Sequence, residues 1–300
     1  ALGVSRGSVW NALHAAESAG IKVFKIPGRG YCLPQPVDWL DRERVLSALG
    51  PAAGVFGLEI VDAVDSTSTH LGERAAAGEH HGKVIAAELQ SAGRGRRGRI
   101  WHCGLGEGLT FSVLWRFPQG PASLAGLSLA VGVALARACD QLGANGVGLK
   151  WPNDVVHRCG KLAGTLIEIQ GEIQGPSAAV VGVGINLRLA SGARDRIDQP
   201  IADLASLTGE LPGRSRVLGI MLAQMAQVLA VFEAGGFAPL KREWSARHAC
   251  QDRAVTLHLP DGSALAGTVC GVEDDGSLLL RTASGVRRLF GGEISLRAGA

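Results

Sequence analysis

Apolar positions near the start of the chain recur at helical spacing. Val9, Leu13 and Ala16 fall on one stripe, while Arg6, Ser8, Asn11 and His14 point elsewhere. Ser5 suits an N-cap and Gly20 a stop, which predicts a helix running to Ala19. Ile21 to Ile26 alternates like a strand, Pro27-Gly28-Arg29-Gly30 reads as a turn, and Tyr31-Cys32-Leu33 as the return strand. Pro34-Gln35-Pro36 reads as a linker into a short helix near Asp41 to Leu49.

From Gly57 to about His248 strand and helix patterns alternate. Strands are expected at Leu58–Val61, Lys83–Leu89 and Leu109–Trp115, with a further strand after the glycine-rich step to Lys150. Leu162–Gln170 and Ala178–Gly184 read as a hairpin of buried strands. Helices are expected at Thr69–Ala77, Leu124–Leu142 and Val217–Phe232. Such a mixture predicts an α+β fold, a mixed sheet with helices packed on one side. After Cys250 the pattern changes to five short strands in fifty residues, punctuated by Asp261-Gly262, Asp275-Gly276 and Ser284-Gly285. That spacing fits a small barrel. The expected division is 1–42, 43–248 and 249–300.

Composition narrows the class only a little. Hydrophobic residues make up 46% and charged residues 19%, as in ordinary soluble proteins. A net charge of +3 is too small to imply nucleic-acid binding by itself. Cysteines at 32, 103, 139, 159, 250 and 270 show no Cys-x-x-Cys spacing, which suggests packing roles in a reducing, cytoplasmic setting. No metal site built from protein ligands alone is expected, and His80-His81 read as a surface loop. The apolar stretches, such as Leu124 to Ala138, read as too short or too interrupted to span a bilayer. The chain starts inside what reads as a motif, so a truncated N-terminus is expected.

The most informative segment is Gln90-Ser91-Ala92-Gly93-Arg94-Gly95-Arg96-Arg97-Gly98-Arg99-Ile100-Trp101. It has no apolar face, so it is neither a core helix nor a half-buried strand. Its guanidiniums and free backbone N–H groups favour phosphates and carboxylates. Alone it would read as a solvated basic loop. Around it stand Asp65-Ser66-Thr67, Lys150-Trp151-Pro152-Asn153-Asp154, Gly160-Lys161-Leu162-Ala163-Gly164-Thr165-Leu166-Ile167-Glu168 and Val183-Gly184-Ile185-Asn186-Leu187. In this order and at these spacings the set closely resembles biotin protein ligases, from about residue 55 to the C-terminus. Residues 1–42 resemble part of a winged helix-turn-helix, as in the subgroup that also represses the biotin operon.

The resemblance implies a central sheet of the class II synthetase and biotin-ligase kind and an SH3-like C-terminal barrel, closed by Phe290-Gly291-Gly292-Glu293-Ile294-Ser295. It implies formation of biotinyl-5'-AMP from biotin and ATP, with Mg²⁺ on the nucleotide, then transfer to a lysine of a biotin carboxyl carrier protein. It also implies operator DNA as a partner, with Ser5, Arg6, Ser8 and Asn11 facing it, and a possible homodimer. No membrane partner is implied.

Residue by residue, the resemblance places biotin against Ser66, Thr67, Ser68, Gln90, Arg94, Gly95, Arg96 and Lys161. Ser68 stands where an asparagine is often found. Lys161, Arg94, Arg96 and Asp154 are the candidate catalytic set, since charge builds on phosphate oxygens and preorganised cations stabilise it. Asp154 can orient Lys161, meet ribose or help place Mg²⁺. Arg97, Trp101, Asn153 and Asn186 are the candidate nucleotide contacts, though Arg97 and Arg99 can equally face water. A glycine-arginine loop suits a lid, so residues 93–102 are expected to move when the site is empty. The loop from about Arg188 to Leu204 is expected over adenine, with Ile201 or another aliphatic residue in place of a stacking tryptophan. Two alternatives remain: a lipoate or octanoate ligase, and a non-enzymatic DNA-binding sensor of an acyl-adenylate.

Overall fold

A computed structural model describes residues 3–18, 21, 23–33, 36–158, 160–173, 175–189, 199–258, 263–290 and 295–298. The first helix, α1 (Arg6–Ser18), carries Val9, Leu13 and Ala16 on its half-buried side, as the stripe predicts. Its first turn is capped by Ser5, whose Oγ accepts the Ser8 N–H at 3.1 Å. Strands β1 (Phe24–Ile26) and β2 (Gly30–Cys32) form a small antiparallel hairpin. The expected stop at Gly20 and most of the Pro34-Gln35-Pro36 linker lie outside the described residues. Helix α2 (Arg42–Leu49) follows, with Asp41 as its N-cap.

The central region holds β3 (Gly57–Val64), α3 (Thr67–Ala76), β4 (Lys83–Gln90), β5 (Gly108–Phe117), α4 (Leu127–Gln141), β6 (Val147–Lys150), β7 (Asp154–His157), β8 (Gly160–Gly171) and β9 (Ser177–Asn186). Helices α5 (Leu204–Thr208), α6 (Arg214–Gly235) and α7 (Lys241–Ala246) complete it. The seven strands order as β3-β4-β5-β9-β8-β7-β6, with only β3 and β4 parallel.

Alternation along the central strands decides which helix packs where. Val84 and Ala86 on β4, Val113 and Trp115 on β5, and Val181 and Val183 on β9 face the large core with α4 and α6. Their neighbours Ile85, Leu114 and Val180 face the other way and pack against Leu71 and Ala75 of α3. Helices therefore cover both faces, against the expectation of one. The reason is that the strands are apolar on both sides, so a pattern-based reading could not assign the second face.

Helix α4 and α6 also correct the membrane reading. Pro121–Gln141 and Arg214–Gly235 are long and apolar enough to cross a bilayer by length and composition. Both instead lie largely inside the protein, 67% and 61% buried over those windows.

The C-terminal part contains β10 (Ala254–His258), β11 (Ala264–Val272), β12 (Leu278–Thr282), β13 (Gly285–Leu289) and β14 (Ser295–Ala298). They form one antiparallel sheet ordered β13-β12-β11-β10-β14. The Asp261-Gly262 turn and residues 291–294 of the closing segment lie outside the described residues. Trp151, fully buried, donates from Nε1 to the Gly276 carbonyl at 3.0 Å and so ties this sheet to the central region. Gly126 and Gly276 meet there: a Cβ on Gly276 would lie 2.7 Å from the Gly126 Cα.

Arg214, Glu88 and His248 are buried ionisable groups. Arg214, 1% exposed, pairs with Glu88 at 2.5 Å. It also donates from its guanidinium to the Asp38 and Gly108 carbonyls, while its backbone N–H goes to the Asp38 carboxylate. Truncating one partner strands the other's charge in the interior. Arg214→Met is expected to lower stability by about 3–5 kcal/mol. In urea titrations, the double variant with Glu88→Gln should be less impaired than Arg214→Met alone; equal stability of Arg214→Met and the parent would refute the pairing argument.

His248 packs on Trp244 with ring centroids 4.4 Å apart. Burial pushes its imidazole down from 6.5 to about 4. The unfolded chain therefore takes up a proton that the folded chain refuses. Stability is full above pH 6.5, falls as the pH drops towards 4 and levels below it, with a loss of about 3 kcal/mol. His248→Phe should flatten the dependence of the urea midpoint on pH across that window. A variant as acid-sensitive as the parent would contradict this.

Candidate active site

Three glycines create the site. On the α3 face of the sheet, Gly164 of β8 lies beside Gly184 of β9, and Gly182 lies beside Leu166. The bare backbone there floors a trough between the start of α3 and the basic segment. Its volume is about 440 Å³, open mouth included. What crosses the floor explains the missing side chains. A Cβ on Gly184 would come within 2.3 Å of the Trp101 ring, one on Gly182 within 2.3 Å of Ser68 Oγ, and one on Gly164 within 2.9 Å of Lys161 Nζ.

One wall is the N-terminus of α3. Ser66 is its N-cap, so the capping reading of that residue holds, and the Asp65 carboxylate accepts the Ser66 N–H at 2.6 Å. The Thr67 N–H donates to Gln90 Oε1 at 2.7 Å. Thr67 Oγ1 and Ser68 Oγ lie 2.8 and 3.0 Å from Ser112 Oγ. All four hydroxyl residues are buried, and Ser66, Thr67, Ser68 and Gln90 line the trough as the sequence predicts.

The opposite wall is the basic segment, folded as a tight hairpin. Arg94 bridges Ile100, the Gly95 N–H donates to the Arg99 carbonyl at 2.7 Å, and the Trp101 N–H donates to Gly93 at 2.9 Å. Arg97 at φ 59° and Gly98 at φ 72° turn the chain at the tip. Arg97 and Arg99 are exposed, while Arg96 is turned inward. Arg96 donates to Asn153 Oδ1 at 3.1 Å, and Asn153 Nδ2 is anchored on the Thr165 carbonyl at 2.7 Å. Burial pulls the Arg96 guanidinium below its ordinary pKa, with the Asp154 charge opposing that shift. Arg94 sits at the rim and is neutralised by Glu168, at 2.8 Å.

Lys161 stands at the entrance of β8. Its Nζ is 2.7 Å from Asp154 Oδ1 and 5.7 Å from the Trp101 ring centroid. A bulge brings the pair together, because the β7–β8 register shifts between Val155 and Val156. Of the three roles open to Asp154 in the sequence, orienting Lys161 is the one that this ion pair fits. The Lys161 backbone is held by Pro200 and Ala202 on one side, and the Asn186 side chain donates to the Lys161 carbonyl.

Some expected residues stand away from the trough. Asn186 spends its amide N–H groups on the Lys161 and Ala202 carbonyls, so it braces the lysine strand. Ile201 bridges Lys161 through its backbone. Residues 190–198 of the expected adenine loop lie outside the described residues. Ser5, Arg6, Ser8 and Asn11 are exposed on α1. Among the described residues no cluster of three or more His, Cys, Asp or Glu is placed to hold a metal ion.

Three site residues escaped the sequence reading: Ser112, Thr110 and Gly182. Thr110 and Ser112 are polar at positions i and i+2 of a strand whose stretch from Leu109 to Trp115 is otherwise apolar, a signal that the α3 face is not all core. Trp101 Nε1 is buried without an acceptor among the described residues.

Gly184→Ala should expel the Trp101 ring at a cost of about 1–3 kcal/mol while keeping the sheet register. A crystal structure of the variant with the ring in place would contradict it.

Residues 60–186 match the biotin/lipoate A/B protein ligase family, and residues 252–297 match the biotin protein ligase C terminal domain. The chain is 35% identical over 298 residues to the bifunctional ligase/repressor BirA of Salmonella typhimurium, spanning 99% of this chain and 91% of that protein. It is 34% identical over 254 residues to a biotin–[acetyl-CoA-carboxylase] ligase of Mycobacterium tuberculosis, spanning 83% and 91%. The structure of biotin protein ligase from Aquifex aeolicus in complex with biotin and ATP aligns with a TM-score of 0.69 at 28% identity, over 81% of this chain and 99% of that one.

Proposed function

The chain belongs to the biotin protein ligase family, and from that premise we propose how its site carries out the reaction. The protein is an ATP-dependent enzyme that joins biotin to a lysine of an acceptor protein, a biotin carboxyl carrier domain. It carries the ligase/repressor pairing of its relatives. The observation that supports the site reading best is the glycine-floored trough with Lys161 and Arg96 at one end and paired hydroxyls at the other.

Biotin lies along the trough. Its ureido head meets Ser66, Thr67, Ser68 and Gln90, and its chain crosses Gly182 and runs alongside the Trp101 ring that covers Gly184. The carboxylate then reaches Lys161. In the first step a carboxylate oxygen attacks the α-phosphorus of ATP, and pyrophosphate leaves. Lys161 stands between two anions that otherwise repel, and Arg96 adds charge where the phosphate becomes more negative. Mg²⁺ travels on the triphosphate and lowers its charge. In the second step the acceptor lysine amine attacks the acyl carbon, AMP leaves and the amine gives up its proton.

The hairpin at 93–101 serves as a lid in this reading. Arg94 can leave Glu168 for an anion, and Arg97 at the tip can meet pyrophosphate. Asn153 holds Arg96 in place, and Asn186 braces the strand under the nucleotide.

The rest of the chain follows the same reading. Residues 1–42 form part of a winged helix-turn-helix, with Ser5, Arg6, Ser8 and Asn11 towards operator DNA and the β1–β2 hairpin as wing. Residues 43–248 are the catalytic unit, and 249–300 an SH3-like unit. A homodimer would present two such recognition helices, as a two-fold operator requires. The cytoplasm is where ATP, operator DNA and acceptor meet.

Biotin with Mg-ATP should release pyrophosphate and leave biotinyl-5'-AMP on the protein; activation of lipoate or octanoate and not biotin would overturn the assignment. Lys161→Gln retains bulk and removes charge. Adenylate formation, followed as pyrophosphate release, should fall by roughly a hundredfold or more, as when a transition-state donor is lost. Wild-type rates in that variant would exclude the role given to Lys161.

A further inference from the structure

Ser112 is a fully buried hydroxyl whose hydrogen bonds run to Thr67 Oγ1 and Ser68 Oγ. It lies one layer behind the trough, on the central strand β5. Each of the three hydroxyls has one proton to give and lone pairs to accept with. If Ser112 accepted from both neighbours, its own proton would be buried without an acceptor, an arrangement folded proteins avoid. Ser112 therefore donates to one neighbour and accepts from the other.

That has a consequence for the trough. The neighbour that donates to Ser112 has spent its proton and faces a ligand as an acceptor. The neighbour that accepts from Ser112 keeps its proton and faces a ligand as a donor. Thr67 and Ser68 both line the trough. The wall thus presents one donor and one acceptor side by side. Gln90 cannot blur this pattern through its oxygen, which is occupied by the Thr67 N–H.

A cyclic urea edge offers the complement, a carbonyl acceptor next to an N–H donor. We propose that Ser112 is a positioning residue that couples Thr67 and Ser68, so that one presents a donor and the other an acceptor, and thereby selects the urea head of biotin. This rests on the ligase reading above. The Ser112 hydroxyl acts through its two neighbours and touches no reacting atom.

Ser112→Ala removes the relay with little change in volume. Gly182 lies opposite Ser112's neighbourhood on β9, so no large side chain depends on the hydroxyl for support. Without Ser112, both neighbours can rotate independently and the wall loses its one-donor, one-acceptor coupling. The readouts are the Kd for biotin, the Kd for the analogue in which C=NH replaces the urea C=O, and kcat for adenylate formation at saturating biotin. The analogue is protonated at neutral pH, so it has donors only and does not use the donor on the wall.

Biotin affinity is expected to fall about tenfold, the worth of one neutral hydrogen bond. The analogue should change less than about threefold, and kcat less than about twofold, so that discrimination collapses while turnover persists. Unchanged biotin affinity would overturn the proposal, as would equal weakening for both ligands, which marks a merely structural role. If Ser112→Ala melts too low to assay, Ser112→Cys, a weak donor of similar size, carries the same expectation. Failure of the parent chain to bind biotin would overturn the ligase reading and this proposal with it. Biotin binding by the parent with an indiscriminate variant would overturn the proposal alone.

Discussion

The ion pair between Glu88 and Arg214 holds three parts of the chain in one place. Glu88 is on β4, Arg214 opens α6, and the segment at residues 38–41 leads in from the N-terminal helix and hairpin. Glu88 also accepts the Leu40 N–H at 2.6 Å, and Ser215 accepts the Asp41 N–H at 2.9 Å. Two charges this deep are tolerable only when they are paired and further hydrogen-bonded. Backbone groups of Asp38, Leu40 and Gly108 supply those bonds, so the pair can form only in the assembled fold. Gln90 lies two residues beyond Glu88 on the same strand, and Gly108, whose carbonyl Arg214 holds, pairs with Asn186. The clamp under the sheet and the trough above it therefore share strands.

Legibility in the sequence followed locality. The basic segment, Lys161 with its bracketing glycines, and Ser66-Thr67 were readable because each is a short run with an unusual composition. The pairing of Lys161 with Asp154 was not, because it depends on a bulge that only the strand register reveals. Ser112 was hidden for another reason. A serine in an apolar strand reads as a tolerated core residue until its two partners, more than forty positions away, are brought beside it. The second helical face was missed because strands buried on both sides carry no polar alternation. Glu168 looked like part of a motif, and its actual contact with Arg94 spans seventy-four positions.

The site keeps its cations engaged before any substrate arrives. Lys161 leans on Asp154, Arg94 on Glu168 and Arg96 on Asn153. Such partners cost some attraction for an incoming anion, but they remove the need to reorganise flexible side chains at the moment of reaction. The three differ in what must be given up. Arg96 exchanges only a neutral amide, whereas Arg94 must leave a carboxylate at a solvent-exposed rim, where ion pairs are weak. Lys161 is the most constrained, with its backbone fixed on both sides and its ammonium facing the Trp101 ring.

That ordering bears on the lid. The hairpin closes on itself through backbone bonds at Arg94, Gly95 and Trp101, so it can swing as a unit without unravelling. Its inward residues, Arg96 and Trp101, touch the central strands, while Arg97 and Arg99 at the tip are exposed. Motion of such a unit is governed by the few contacts it makes with the floor. Those include Arg96 to Asn153, Arg94 to Glu168 and Thr69, and the Trp101 ring over Gly184. On the ligase reading proposed above, an acyl-phosphate bound at Arg94 and Arg96 would replace such contacts with stronger, charge-assisted ones. Closure would then be tighter with the reactive intermediate bound than with the site empty, which is the condition for keeping water away from it.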